Sequence, residues 1–419
     1  MATKAQIRFV FLAILTLLAW FLLRATFTAV PSSEEKAARS QKIFSFDLEN
    51  PSDPSGNENK APPKHQQPPK QSTVILPKEN KAEVSTVQPK PQAVAVPPVV
   101  KPKIKAAIVV LIRNNELDAM LETLKMFEGR FNKRFGYPYV FLNDDAFTKD
   151  FKQKITSALP GRKVQFGLVP KEHWSYPSWI NQTYAAECRK RMHDAKIIYG
   201  GSESYRHMCR YQSGFFFRHP LMSEYDYYWR VEPGVKFTCD IVDDPFEQMV
   251  KQNAKYGFTI AIHEFRETVT TLWKTTMEFM REWKKMHPTF NPELLRFFGN
   301  ENEYNMCHYW SNFEIGSLKW LNSDEYLSYF NYLDQAGGYF YERWGDAPVH
   351  SIAVGMFLKK EEVIFFDKIG YFHNPMSHCP VEPFHKQLNC ECKIEEAITE
   401  NGYSCVPQWR RYTNTKWYN

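Results

Sequence analysis

Hydrophobic and polar positions change character several times along this chain, and each change marks a segment. From Phe9 to Leu23 the sequence FVFLAILTLLAWFLL is almost wholly apolar, and the run reaches Val30 if Arg24 snorkels. Residues 9–30, at about 1.5 Å per residue, reach about 33 Å as a helix, enough to span a bilayer. Between residues 31 and 103 the apolar pattern disappears. It returns as KIKAAIVVLIR (103–113), a continuous β-branched run that reads as a buried parallel strand. Leu117, Met120, Leu121, Leu124, Phe127 and Phe131 then fall at helical spacing, and YVFL (139–142) follows as a strand, completing a β-α-β unit.

Further along, Asp244-Pro245-x-Glu247 supplies an N-cap, an N1 proline and a capping-box glutamate, and Gly257 is the expected stop. FTIAIHE (258–264) is expected as one strand directly after it. Leu272, Thr276, Phe279, Met280, Trp283 and Met286 form one face of a helix that ends at Pro288. Strands alternating with helices predict an α/β domain around a mainly parallel sheet. In such sheets ligands sit beyond the carboxyl ends of the strands. In YYWRVEPGVKFTCDI (227–241), Tyr228, Trp229 and Val231 read as strand, Pro233-Gly234 as a turn, and Glu232 is left at that edge.

Composition sharpens the ends of the chain. Residues 31–103 hold 13 of the 27 prolines and only two aromatics, Phe44 and Phe46, so they are expected to form a disordered stem. Lys4 and Arg8 ahead of the apolar run predict a cytosolic tail (1–8), a signal-anchor (9–30) and a translocated domain (104–419); a cleaved signal peptide is the alternative. Of the net charge of +6, residues 106–419 carry −1, which argues against a nucleic-acid binder. Eight cysteines, at 188, 209, 239, 307, 379, 390, 392 and 405, suggest disulfides in a translocated domain. Cys188 and Cys209 are expected as a local pair, with the last four as a C-terminal cluster. Cys390-Glu-Cys392 lacks zinc-knuckle spacing. Asn181-Gln-Thr183 is a glycosylation sequon.

Three stretches offer chemistry. Glu232, held by a Pro-Gly turn, suits a divalent cation bridging phosphates, or is a solvated loop carboxylate. Residues 305–357 place Glu314 and Asp346 among aromatics and glycines, the equipment of a sugar site or of an aromatic core. GYFHNPMSHCP (370–380) carries His373, a metal ligand or a structural histidine.

Together YYWRVEPGVKFTCDI, KYGFTIAIHE, TLW, NMCHYWSNFEIGSL, YFNYLDQAGGYFYERWGDAPVHSIAVGMFL and IGYFHNPMSHCP resemble the fungal α-1,2-mannosyltransferases of glycosyltransferase family 15, over roughly residues 104–390. The resemblance implies a Rossmann-like nucleotide-sugar transferase fold of GT-A type in a single-pass type II Golgi enzyme with a luminal catalytic domain. It implies a retaining enzyme that uses Mn²⁺ and GDP-mannose to extend mannosidic acceptors in N- or O-linked protein glycosylation. By the same likeness Glu232 and His373 are metal ligands, with Gly234 standing where an acidic residue would add a third. Glu314 is the catalytic carboxylate, as nucleophile or as a stabiliser of positive charge. Arg113, Tyr205 and Asp346 contact donor or acceptor. Two other readings are a glycosidase using Glu314 with Asp346, and a tethered mannose-binding protein without turnover.

Overall fold

The computed structural model describes residues 104–414. These fall within one compact unit, Thr86–Asn419; the expected tail, anchor and stem lie outside the described residues. Among the described residues no helix is long and apolar enough to cross a membrane.

The chain begins with β1 (Ala106–Leu111), α1 (Leu117–Phe127) and β2 (Tyr139–Asn143), the β-α-β unit expected from the sequence. A π-helical turn, Glu128–Asn132, prolongs α1, so Phe131 keeps its place on the buried face. Then come α2 (Lys149–Ala158), β3 (Val164–Leu168), α3 (Gln182–Asp194), α4 (Glu203–Gly214), β4 (Tyr227–Arg230) and β5 (Lys236–Phe237). After α5 (Pro245–Lys251) follow β6 (Tyr256–Phe258), β7 (Ala261–His263), α6 (Leu272–Met286), β8 (Cys307–Tyr309) and β9 (Glu314–Ser317). The last elements are α7 (Asp324–Ala336), α8 (Asp346–Phe357), β10 (Val363–Phe365), β11 (Tyr371–His373), β12 (Met376–His378) and α9 (Val406–Thr413).

The main sheet has seven strands in the order β10-β6-β9-β4-β1-β2-β3. Only β9 runs against the others, pairing antiparallel with β4 and β6. The α/β class with a mixed, mainly parallel sheet is therefore as expected. The reversal has a consequence for chemistry. Arg230, the last residue of β4, lies opposite Glu314, the first of β9, so both stand at the carboxyl edge of the parallel strands.

Side chains alternate across β4. Trp229 points to the α1 side, with Phe127 and Phe131 each 5.0 Å away and Phe313 at 5.4 Å, centroid to centroid. Tyr228 and Arg230 point to the opposite side, where Tyr228 meets Phe216 at 4.8 Å. A second sheet, β12-β11-β5, pairs Phe372 with Lys236 and Tyr371 with Phe237.

Three local expectations are corrected. The α5 helix stops at Lys251, not Gly257; Gly257 lies inside β6, where an added Cβ would come within 2.3 Å of the Phe366 ring. FTIAIHE is divided between β6 and β7, which belong to different sheets. Met286 is 68% exposed although it keeps the helical spacing of α6, because the helix runs past the core at that end.

Cysteine pairing also differs. Cys188 and Cys209 are both free and buried, each in its own helix. The disulfides are Cys239–Cys390, Cys307–Cys405 and Cys379–Cys392, so only the last lies within the C-terminal cluster. Two of them close long loops, of 151 and 98 residues, and are worth on the order of 4–5 kcal/mol each on the chain-entropy view.

His378, on β12, is 1% exposed, and the neutral ring satisfies both of its hydrogen bonds. Nε2 donates to the Asp367 carbonyl oxygen at 2.9 Å and Nδ1 accepts from the Thr399 hydroxyl at 2.8 Å. Burial lowers its pKa from 6.5 to about 4. A base depressed on folding binds more protons when unfolded, so its contribution is intact above pH 6.5 and is lost as pH falls toward 4. Lowering pH from 7 to 5 should cost the wild type about 2 kcal/mol through this group alone. His378→Gln should flatten that dependence in urea unfolding at the two pH values.

Candidate active site

The strand end fixes Glu232. Beyond Arg230 the chain turns at Pro233-Gly234, with Gly234 at φ +81°, a left-handed conformation that favours glycine. The Gly234 N–H donates to Thr123 Oγ1 at 3.0 Å, and Thr123 donates to the Val235 carbonyl at 3.1 Å, so α1 clamps the turn. Gly234 thus sets backbone geometry at the place where the resemblance leaves room for an acid.

Pairing of β5 with β11 brings His373 back over Glu232. His373 Nε2 lies 3.5 Å from Glu232 Oε2. Its Nδ1 is 3.0 Å from the Asn374 carbonyl oxygen, which can only accept, so Nδ1 carries the proton and Nε2 faces the carboxylate. A proton or a metal cation fits between these two atoms. Such an outer hydrogen bond to a carbonyl is how ligating imidazoles are commonly oriented. The Trp310 ring stands edge-on to His373 at 4.8 Å.

Arg230 links the rest. It is 5% exposed. Its Nε and Nη2 donate to Glu232 Oε1 at 2.9 and 2.6 Å, and its Nη1 donates to Asp346 Oδ2 at 2.6 Å. Ser311 donates to the same Asp346 oxygen at 2.7 Å. Burial would raise the pKa of Glu232, but the Arg230 charge and His373 outweigh it and hold the carboxyl down at about 2. Asp346 is likewise lowered against its burial, by Arg230 and His350.

Glu314 is fully buried. Its Oε2 accepts from the Tyr256 hydroxyl at 3.0 Å and lies 2.9 Å from His350 Nδ1. Its Oε1 has no hydrogen-bond partner. Tyr205, part-buried on α4, receives a hydrogen bond of 3.3 Å from Arg343, which also approaches Glu264 at 3.5 Å. Tyr199 stacks on Tyr205 with centroids 4.4 Å apart and planes 8° from parallel. Arg113 is exposed beyond β1 and donates to the Ser204 hydroxyl, next to Tyr205.

Four of the residues singled out from the sequence are therefore brought close through Arg230 and His350, namely Glu232, His373, Asp346 and Glu314, while the contacts of Tyr205 lead through Arg343 to Glu264. Arg113 sits on the rim. Sequence reasoning missed the bridges Arg230, Ser311, Arg343 and His350. Arg230 and His350 were visible as charged or titratable residues inside apolar motifs, YYWRVE and DAPVHSIAV. Tyr199, a non-glycine residue at φ +54°, left no signal in the sequence.

The profile of the glycolipid 2-alpha-mannosyltransferase family matches residues 55–414. The chain belongs to this family. It is 53% identical over 314 residues to the glycolipid 2-alpha-mannosyltransferase of Saccharomyces cerevisiae, spanning 73% of this chain and 69% of that relative. It is 47% identical over 331 residues to the alpha-1,2 mannosyltransferase KTR1 of the same yeast, 78% and 81% of the two chains. Among solved structures, core-mannan synthase A of Aspergillus fumigatus in its Mn/GDP form superposes with a TM-score of 0.69 at 37% identity, covering 75% of this chain and 86% of that one. The GT-A type of fold implied by the motifs is the fold of this family member.

One stability prediction follows from the Arg230 bridge. Removing one partner from a buried ion cluster leaves uncompensated charge, which costs about 3–5 kcal/mol. Arg230→Met should lower the unfolding free energy at pH 7 by that amount. Urea unfolding within about 1 kcal/mol of wild type would mean that the cluster relaxes into solvent.

Proposed function

We propose that this protein is a type II Golgi enzyme that transfers mannose from GDP-mannose, with retention, to a mannosidic acceptor on N- or O-linked glycans, forming an α-1,2 linkage. The observation that carries the reading is the apposition of Glu232 and His373 at the carboxyl edge of the sheet, with an imidazole nitrogen facing a carboxylate at 3.5 Å.

Mn²⁺ held by these two residues would supply Lewis-acid neutralisation of charge on the departing diphosphate. The protein's own part is to present the ligands. Arg230 keeps Glu232 ionised and aims it, while the Asn374 carbonyl sets the tautomer of His373. Arg113, exposed beyond the first strand beside Ser204, is assigned to a donor phosphate. The stacked Tyr199 and Tyr205 rings offer an apolar face against which a sugar can pack. Asp346, held low by Arg230, is assigned to hydroxyl contacts from its buried position.

Glu314 is read as a fixed negative charge that stabilises an oxocarbenium-like transition state from within the protein. Its full burial supports this role over that of a nucleophile, because bond formation would first require Oε1 to be uncovered. The glycosidase reading loses ground for a related reason: Asp346 is paired with a guanidinium and lowered in pKa, the wrong setting for a proton donor.

The test is GDP release from GDP-mannose and methyl-α-mannoside, with the product linkage read by NMR. A Mn²⁺-dependent α-1,2 disaccharide is expected, and sugar binding without GDP release would instead mean a lectin-like protein. Glu232→Ala should raise the Mn²⁺ concentration needed for half-maximal rate by about tenfold or more. Glu314→Gln should lower kcat on the order of 100-fold with GDP binding retained. Incubation with the 2-fluoro analogue of GDP-mannose should leave no sugar adduct on the Glu314 peptide in mass spectra; an adduct there would establish a covalent intermediate.

A further inference from the structure

His350 is a buried histidine on α8 that the proposed chemistry does not by itself require. Both of its ring nitrogens have partners. Nε2 lies 3.2 Å from the backbone carbonyl oxygen of Gln212, at the end of α4, and Nδ1 lies 2.9 Å from Glu314 Oε2. A carbonyl oxygen only accepts, so Nε2 must carry a hydrogen. Nδ1 then either donates to an ionised Glu314 or accepts from a protonated one, and in both cases the pair holds one proton more than a neutral imidazole beside a carboxylate would.

The surroundings decide where that proton lies. Facing His350 are Glu314 from β9, Arg230 from β4, Tyr326 from α7, and Asp346 four residues earlier on α8, while Tyr256 from β6 and Tyr228 from β4 face Glu314. Burial disfavours the charged ring, yet Glu314 and then Asp346 raise its proton affinity above the ordinary value, against the smaller opposing effect of Arg230. Tyr256 donates to the same oxygen, Oε2, which suits a carboxylate oxygen carrying negative charge. The Oε1 atom makes no hydrogen bond, with the unpartnered Tyr228 hydroxyl as the further polar group facing Glu314.

We propose that His350 is a positioning residue that stays protonated beside Glu314, pins Oε2 together with Tyr256, and so keeps Glu314 ionised with Oε1 as its free negative atom. The proposal rests on Glu314 being the carboxylate that stabilises the transferring sugar. His350 is the cation in hydrogen-bond contact with the carboxylate, and it meets Oε2, so Oε1 is the oxygen left without a hydrogen-bond partner. A neutral side chain at 350 would fill part of the space but would leave a buried carboxylate without its contacting cation, which favours the protonated, uncharged acid.

The test uses the full chain with Mn²⁺, GDP-mannose and methyl-α-mannoside, comparing wild type, His350→Gln, Glu314→Gln and the double variant, with thermal melting to monitor folding. His350→Gln should lower kcat at neutral pH on the order of 30-fold, leave KM for GDP-mannose within about threefold, and move the acid limb of the kcat profile up by about one pH unit. The double variant should be no slower than Glu314→Gln, because His350 acts only through Glu314. Losses that multiply in the double variant, or an acid limb that stays in place, would overturn the proposal while leaving the Glu314 reading intact. Full activity of Glu314→Gln would overturn both. If His350→Gln does not fold, Tyr256→Phe tests the same pin: a kcat loss of about three- to tenfold supports it, and unchanged kcat overturns it.

Discussion

Arg230 is the group around which the site is built. One guanidinium, nearly sealed from solvent, bridges Glu232 on the turn after β4 and Asp346 at the first position of α8. The fork geometry of arginine allows this because its nitrogens donate in two directions within one plane. Such a cluster is not an efficient way to stabilise a fold, since desolvation of three charges offsets much of their attraction. What it supplies is position. Glu232 is aimed at His373, and α8 is anchored so that His350, one turn further on, lies under Glu314.

That arrangement depends on two topological facts. The first is the reversal of β9, which brings an amino-terminal strand residue, Glu314, to the edge where the parallel strands end. Had β9 run parallel, Glu314 would lie at the opposite end of the sheet. The second is the β5–β11 pairing, which places His373 beside a residue 141 positions earlier. An apposition of Glu232 and His373 that depends on a two-residue strand needs reinforcement. The Cys239–Cys390 and Cys379–Cys392 disulfides provide it, since Cys239 lies two residues beyond β5 and Cys379 directly follows β12.

Legibility in the sequence followed the range of the interaction involved. The first β-α-β unit was readable because its strands are buried on both faces and its helix keeps a clear apolar stripe. The α5 N-cap was readable because Asp244 accepts from Phe246 locally. Gly257 was misread because glycine is both a helix terminator and the residue that tolerates close approach of a ring, and only the position of Phe366 distinguishes the two. The split of FTIAIHE and the pairing of Cys239 with Cys390 are long-range facts without local signal. In the site, Glu232 and His373 stood out through their flanking turns and through family likeness. Arg230 did not, since a lone arginine in a strand reads as an outward-facing side chain until its two carboxylates are seen.

Charge accounting explains why these pieces belong together. Arg230 offsets one of the two carboxylates that it bridges. Glu314 is matched by a protonated His350, and Arg343 faces Glu264. With His373 neutral, as a metal ligand must be, one negative charge remains unbalanced, on the side where Glu232 meets His373. A divalent cation held there would reverse the local sign and leave one positive charge facing outward. An anionic diphosphate could then dock against a surface that already carries Arg113 at its rim. On this view Glu314 cannot be exchanged with Glu232 as a metal ligand: its charge is already matched by His350, and its free oxygen is fully buried. Glu232 lies two residues beyond Arg230, the strand partner of Glu314, yet burial and partner choice set the two carboxylates apart, one beside His373 and one beside His350 and Tyr256, and that difference is what the proposed division of tasks rests on.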